Sequence, residues 1–280
     1  MGKSADKFSR NQRVVAITKT LTESPNKVIN LNRFTEIFNA AKSTVSEDIV
    51  IVRETLEQLS MGRVESVSGA AGGIKFITDI SDKDRLKFSE ELCEVIREED
   101  RVMIGDFLYV TDLMYNPNII STAGRILAST FSNLDIDYVV TIETKGIPLA
   151  YEVAKALGVQ LVTVRHRNKV TEGATVNINY ISGSSNRIQT MSLSRKSMKR
   201  NSKCLFIDDF MRGGGTAKGI QELLTEFNSE LLGCGILVDN TFETKEKLIG
   251  DYIAIVDFDG IGEDGRAIVK PSLRIDLKKQ

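Results

Sequence analysis

Cys204-Leu-Phe-Ile-Asp-Asp-Phe-Met-Arg-Gly-Gly-Gly-Thr216 reads as a buried strand that ends in two acids, followed by a glycine-rich turn that opens a helix. Consecutive glycines let a backbone approach an anion closely, and amides 213–217 at a helix start converge on a phosphate as donors. Thr216 adds a hydroxyl donor. Asp208 and Asp209, at the strand end just before that cradle, are placed to accept hydrogen bonds from the vicinal hydroxyls of a ribose. A Walker loop would end in Gly-Lys and a Ser or Thr, and a dinucleotide fingerprint puts its acid after the glycines, so neither template fits.

The flanking segments alternate. Strand-like runs at 138–142, 159–165, 203–207, 231–238 and 252–256 are interleaved with helices over 148–157 and 216–227, after an amphipathic helix over 84–98. That order predicts an α/β domain on a parallel sheet, with ligands at the carboxyl ends of the strands. Glu143-Thr-Lys-Gly-Ile-Pro-Leu-Ala150 is a second strand-to-helix turn, with Pro148 at the first helical position and Lys145 available to an anion. Residues 166–200 are too many for a plain loop. Val176, Ile178 and Tyr180 alternate with polar residues, 182–186 turn, and 187–193 return, which predicts a β-hairpin. Its cations Arg165, Arg167, Lys169, Arg187, Arg195 and Lys196 suit a lid over a pyrophosphate, built on Arg165, Lys169, Tyr180 and Arg187. A solvated flap and a dimer contact are the alternatives. Phe107, Tyr109 and Phe210 lie close to the ligand segments, as bases' stacking partners or as core.

Ahead of this domain, Val14, Val15, Ile17 and Leu21 recur at helical spacing over 11–21, and Ser24, Pro25 and Asn26 stop the helix. A second helix is expected over 31–40 and a tight connection at Ala40, Ala41 and Lys42. Thr44 and Glu47 then form a capping box for a third helix that carries Val45, Ile49, Val52, Leu56 and Leu59 inward and ends at Gly62. Two β-prone stretches at 64–67 and 74–77, around Gly69, Gly72 and Gly73, predict a wing. In such a winged helix-turn-helix the start of the third helix enters the major groove, presenting Lys42, Ser43, Thr44 and Ser46. Arg10, Arg13 and Lys75 are the expected phosphate contacts. Residues 1–42 carry eight Lys or Arg against three acids, the imbalance a duplex would attract. A packing or dimerisation module without DNA is the competing reading.

A chain of 280 residues suits two domains, here 1–80 and 81–280, and 41% hydrophobic with 27% charged residues suits a packed soluble core rather than disorder. No apolar run approaches membrane-spanning length, and the amino terminus has no apolar signal core, so a cytoplasmic location is expected. Three scattered cysteines argue against a disulfide framework, with Cys204 and Cys234 as core positions. A lone histidine, His166, excludes a zinc site of several imidazoles, and no metal site from side chains alone is expected.

The run from Asp208 and Asp209 through Phe210, Met211, Arg212, Gly213, Gly214, Gly215, Thr216 and Ala217 resembles the signature by which type I phosphoribosyltransferases bind phosphoribosyl pyrophosphate (PRPP). Together with Glu143–Ala150 and Asn179-Tyr-Ile-Ser-Gly-Ser-Ser-Asn-Arg-Ile-Gln-Thr-Met191, the whole chain is similar to the purine operon repressors of Gram-positive bacteria. That resemblance implies a homodimeric repressor of purine biosynthesis and transport genes, its effector domain binding PRPP without appreciable transfer. It also implies that Thr144, Lys145 and Gly146 hold the pyrophosphate, often through an unusual backbone conformation, that Mg2+ accompanies PRPP, and that PRPP weakens repression, although some relatives activate. A guanine-bearing alarmone would compete for the same anion loops. An active purine phosphoribosyltransferase with a second regulatory role remains the alternative, and so does a DNA-independent interaction protein.

Overall fold

Three helices and a hairpin form the amino-terminal unit in the computed structural model, which describes residues 8–69, 71–104, 107–167, 173–181, 187–242 and 246–272. Helices α1 (Arg10–Thr22), α2 (Leu31–Phe38) and α3 (Lys42–Gln58) precede strands β1 (Arg63–Val67) and β2 (Gly73–Ile77). α1 starts on a capping box that the sequence reading missed: the Ser9 amide donates to Gln12 Oε1 at 2.8 Å, and Ser9 Oγ accepts from the Gln12 amide at 3.4 Å. Asn30 caps α2, and Asn39 closes it in the left-handed region at φ 47°. α3 follows Ala41 with no side-chain cap; the expected Thr44/Glu47 box is absent because both residues already lie within the helix.

Ile17, Leu21, Phe34, Phe38, Val45, Ile49 and Val52 meet in one core. Val15 and Leu59, expected inward, are exposed. On α1 the inward row is Arg13, Ile17 and Leu21, a spacing of four that Val15 falls outside, and Leu59 is already the C-cap of α3, short of Gly62. β1 and β2 pair antiparallel with Val64 opposite Phe76, the wing-like hairpin expected, and Ile29 bridges to Ile74 as a one-residue third member.

The second unit comprises Asp82–Lys155 and Val159–Gln280, the short stretch Ala156–Gly158 grouping with Met1–Ser81 in the first. It begins with α4 (Asp82–Ile96), β3 (Val102–Met103), β4 (Phe107–Leu108), α5 (Thr111–Met114) and α6 (Pro117–Thr130). There follow β5 (Tyr138–Ile142), α7 (Ile147–Leu157), β6 (Gln160–Val164), β7 (Thr175–Ile181), β8 (Ile188–Ser194) and β9 (Lys203–Met211). α8 (Gly215–Thr225), β10 (Glu230–Asn240), β11 (Ile253–Ile261) and β12 (Ala267–Pro271) complete it.

Six strands form the main sheet in the order β12-β11-β10-β9-β5-β6, all neighbours parallel except β12, an antiparallel edge strand unforeseen from the sequence. Cys204 and Cys234 are core, as expected. β5 leads through α7 to β6 on one side, whereas β9 leads through α8 to β10 on the other, so the chain reverses direction between β5 and β9. Such a switch point opens a crevice at the carboxyl ends of the strands. The ladder supports this: β5 pairs with β9 only at 138–140, while β10 follows β9 as far as Met211. That longer pairing carries Asp208 and Asp209 into the strand, four residues beyond the end expected at Ile207.

Candidate functional site

A cavity of about 300 Å³ lies at that switch point, lined by Lys145, Phe206, Ile236 and residues 208–217. The glycine-rich loop and the second strand-to-helix turn therefore converge. Gly146 makes the close approach possible: a Cβ there would stand 2.5 Å from Asp208 Oδ1 and 2.8 Å from Thr141 Oγ1. The peptide bond between Glu143 and Thr144 is cis, and Thr144 and Lys145 are exposed beside the cavity. At the loop's end Gly214 is the N-cap of α8 with φ 79°, a conformation that suits glycine, and the residues of the first turn, whose amides are donors left over by the helix, line the cavity.

Asp208 is buried with no cation paired to it among the described residues; its Oδ1 accepts the Asp209 amide at 2.9 Å. Burial first, then the charge of Asp209, pushes its carboxyl well above the usual carboxylate range. A desolvated acid beside a void is an acceptor in want of donors, which sugar hydroxyls supply.

Two groups that sequence reasoning missed hold the loop from behind. Lys247 forms an ion pair with Asp239 at 2.8 Å and donates to the carbonyls of Arg212 and Asn240, while the Tyr252 hydroxyl donates to Asp239 Oδ2 at 2.6 Å. Leu248 donates its amide to the Gly213 carbonyl at 3.0 Å. Neither Asp239, inside an apolar strand run, nor Lys247, in a polar connection, carries a sequence signal for this pairing. Arg212 lies over the Phe107 ring at 5.3 Å from its centre. Phe107 and Tyr109 are both exposed rather than core, and Phe107 alone is tied to the loop in this way.

The hairpin β7–β8 forms as expected, with Val176 opposite Leu193. It does not present Tyr180 as a lid residue to solvent. Val176, Tyr180, Met191 and Leu193 all belong to the core cluster with Ile220 and Leu223 of α8. Gly219 lets the elements touch, since a Cβ there would lie 2.9 Å from Tyr180 Cβ. The Tyr180 hydroxyl donates to Gln189 Oε1 at 2.9 Å. Burial raises the Tyr180 phenol above its ordinary value, a hydrogen bond from Thr216 opposing that rise and the Asp208 charge adding to it. Arg165, another expected lid cation, pairs instead with Glu143 at 3.1 Å. Arg187 is exposed, and Lys169 and the turn at 182–186 lie outside the described residues.

In the amino-terminal unit Lys42, Ser43 and Ser46 are exposed in the first turns of α3, with Thr44 half-buried. Ser46 Oγ donates to the Lys42 carbonyl at 2.9 Å. Lys75 is half-buried on β2, 4.0 Å from Glu65. Arg10 is exposed, with Asp48 at 3.5 Å and Glu47 at 3.9 Å. Arg13, expected at phosphate, is instead buried: its guanidinium donates to both oxygens of Asp48, at 2.6 and 3.2 Å, and that contact raises the Arg13 pKa. Residues 1–7, part of the basic excess, lie outside the described residues.

Residues 9–78 match the family described as the bacterial purine repressor, N-terminal, and residues 110–264 match the phosphoribosyl transferase domain. The chain is 43% identical to the purine biosynthesis transcriptional repressor PurR of Bacillus subtilis, over 94% of this chain and 92% of that one. It is 40% identical to the purine biosynthesis transcriptional activator PurR of Lactococcus lactis subsp. lactis, over 93% and 96%. Among solved structures, adenine phosphoribosyltransferase from Thermoanaerobacter pseudethanolicus superposes with a TM-score of 0.54 at 21% identity, covering 61% of this chain and 99% of that one, which shows the fold of the second unit.

Proposed function

This chain belongs to the PurR family of bacterial purine biosynthesis regulators, and on that premise we propose that it represses purine biosynthesis and transport genes under the control of PRPP. The observation that carries the ligand assignment is the meeting of a buried, cation-free Asp208 with a helix-capping glycine loop in one cavity. In this reading Asp208 and Asp209 accept the ribose 2′- and 3′-hydroxyls. The amides of 213–217 and the Thr216 hydroxyl hold the 5′-phosphate. Lys145, with the backbone of Thr144 and Gly146, takes the pyrophosphate. Mg2+ would arrive with that pyrophosphate, and the hard oxygens of Asp208 and Asp209 fit such an ion. A guanine-bearing alarmone would compete through the same anion contacts, its base near Phe107.

The domain binds PRPP without transferring its phosphoribosyl group, in the cytoplasm; no helix among the described residues is long and apolar enough to cross a membrane. Lys42, Ser43, Thr44 and Ser46 read the major groove, with Arg10 and Lys75 on phosphates, in a homodimer whose symmetry matches a two-fold operator. PRPP weakens this binding, and such couplings are typically ~1–3 kcal/mol, or about 5- to 150-fold in affinity.

Calorimetry of PRPP binding and DNA titrations with and without PRPP test the reading on the native chain and on the Asp208→Ala, Asp209→Ala double variant. The expected result is a variant that keeps DNA binding and loses the ligand response. Sustained pyrophosphate release with PRPP and a purine base would replace the sensor with an enzyme, and DNA affinity indifferent to PRPP would remove the sensor altogether.

A further inference from the structure

The carbonyls of Arg212 and Gly213 are both engaged by residues that do not line the cavity: Lys247 Nζ donates to the first, and the Leu248 amide to the second at 3.0 Å. The same ammonium donates to the Asn240 carbonyl at the end of β10 and stands 2.8 Å from Asp239 Oδ1. Lys247 and Asp239 are both buried, and the Tyr252 hydroxyl holds the second carboxylate oxygen at 2.6 Å. The backing fits closely, since a Cβ on Gly214 would stand 3.2 Å from the Leu248 amide nitrogen. In a planar trans peptide the C=O and the next residue's N–H point to opposite sides. A carbonyl bound from behind therefore sends its partner amide forward.

From this geometry we infer that Lys247 is a positioning residue for the 5′-phosphate: by holding the Arg212 carbonyl it turns the Gly213 amide toward the cavity, as Leu248 does for the Gly214 amide. The inference rests on the phosphate assignment made above. Lys247 does not touch the ligand. Its charge is committed to Asp239, and it acts on phosphate only through the backbone that its ammonium holds. Three glycines in succession leave that backbone many conformations, so the loop needs such an outside tie to keep its donors aimed one way. The turn at 144–146 takes its position from β5 and α7 instead. Loss of Lys247 should therefore strike the phosphate loop and spare the pyrophosphate turn.

The test uses the full chain with two probes, ribose 5-phosphate for the glycine loop and inorganic pyrophosphate for the turn at 144–146. Calorimetry compares the native chain, Lys247→Met and the double variant Lys247→Met, Asp239→Asn. The single variant leaves the Asp239 charge buried without its cation. The double variant removes both charges and leaves the Tyr252 hydroxyl an acceptor, so misfolding of the single variant cannot hide the result. In the double variant ribose 5-phosphate should bind at least about tenfold more weakly, and pyrophosphate within about twofold of native. Hydrogen exchange of ligand-free peptides spanning 213–217 should be faster than in the native chain. Ribose 5-phosphate affinity equal to native overturns the proposal. So does an equal loss for both probes, which a general weakening of the fold would produce. A native chain that binds neither probe removes the ligand assignment, and exchange at 213–217 alone then decides whether Lys247 sets the loop: unchanged exchange sinks that as well.

Discussion

Asp48 in the amino-terminal unit and Asp208 in the carboxy-terminal unit are both buried acids, and their surroundings are opposite. Asp48 is gripped by the Arg13 guanidinium through two hydrogen bonds. Asp208 has the Asp209 amide, the repulsion of the Asp209 charge and an open cavity. Asp239, just behind the same loop, follows the pattern of Asp48, with Lys247 and Tyr252 as partners. A buried carboxylate without a cation is costly, so the usual resolution is pairing. Asp48 and Asp239 are paired with cations, whereas Asp208 has none among the described residues and faces a cavity.

Substitutions should separate the two kinds of acid by sign. The largest loss is expected at Asp48→Asn, which breaks a buried pair; urea denaturation should show the amino-terminal unit weakened by about 3–5 kcal/mol, with PRPP binding unchanged. A loss under about 1 kcal/mol would end the claim that this acid is structural. Asp208→Asn should do the reverse, gaining about 1–3 kcal/mol near neutral pH while PRPP affinity falls at least about tenfold.

The pH dependence sharpens the contrast. Because the folded carboxyl of Asp208 titrates above its unfolded value, the folded state holds the extra proton between about pH 4 and the raised value. Native stability should therefore fall as pH rises through that interval. Asp208→Asn should lack this component of the fall, its advantage vanishing below about pH 4. Equal slopes for both proteins would mean that Asp208 is not the uncompensated charge.

Smaller effects concern cations left on the surface. Lys42→Ala, unlike any change at Arg13, should leave stability unaltered and reduce the salt slope of DNA binding by about 1, uniformly across sequences. Smallest of all, Phe107→Leu removes the ring beneath Arg212 and should cost about 0.5–1 kcal/mol of stability in thermal unfolding.

The winged hairpin, the strand 138–142 and the strand-turn-helix around Gly213–Gly215 were legible because each is written in contiguous residues: period-two or helical spacing, then a glycine. Arg13 shows where that legibility stops. Its position in a basic, amphipathic segment points to DNA, and only the packing of α1 against α3 turns it toward an acid 35 residues away. Val15 misled for a related reason, since the inward row of α1 is chosen by its neighbours and not by apolarity alone. Tyr180 looked like part of a mobile cover, yet its alternation pattern records only that one hairpin face is buried, not against what.

By itself the sequence determined the two-part organisation, the α/β class, the acids and glycines of the anion loop, and membership in a regulator family, because these depend on local backbone preference and on residues adjacent in the chain. Only the tertiary structure decided which acids have cations, that Lys247 braces the loop, and that the Tyr180 hydroxyl meets Gln189 across the hairpin. Those are contacts between separate segments, and charge and hydroxyl chemistry are committed by whichever partner the fold brings within hydrogen-bonding reach.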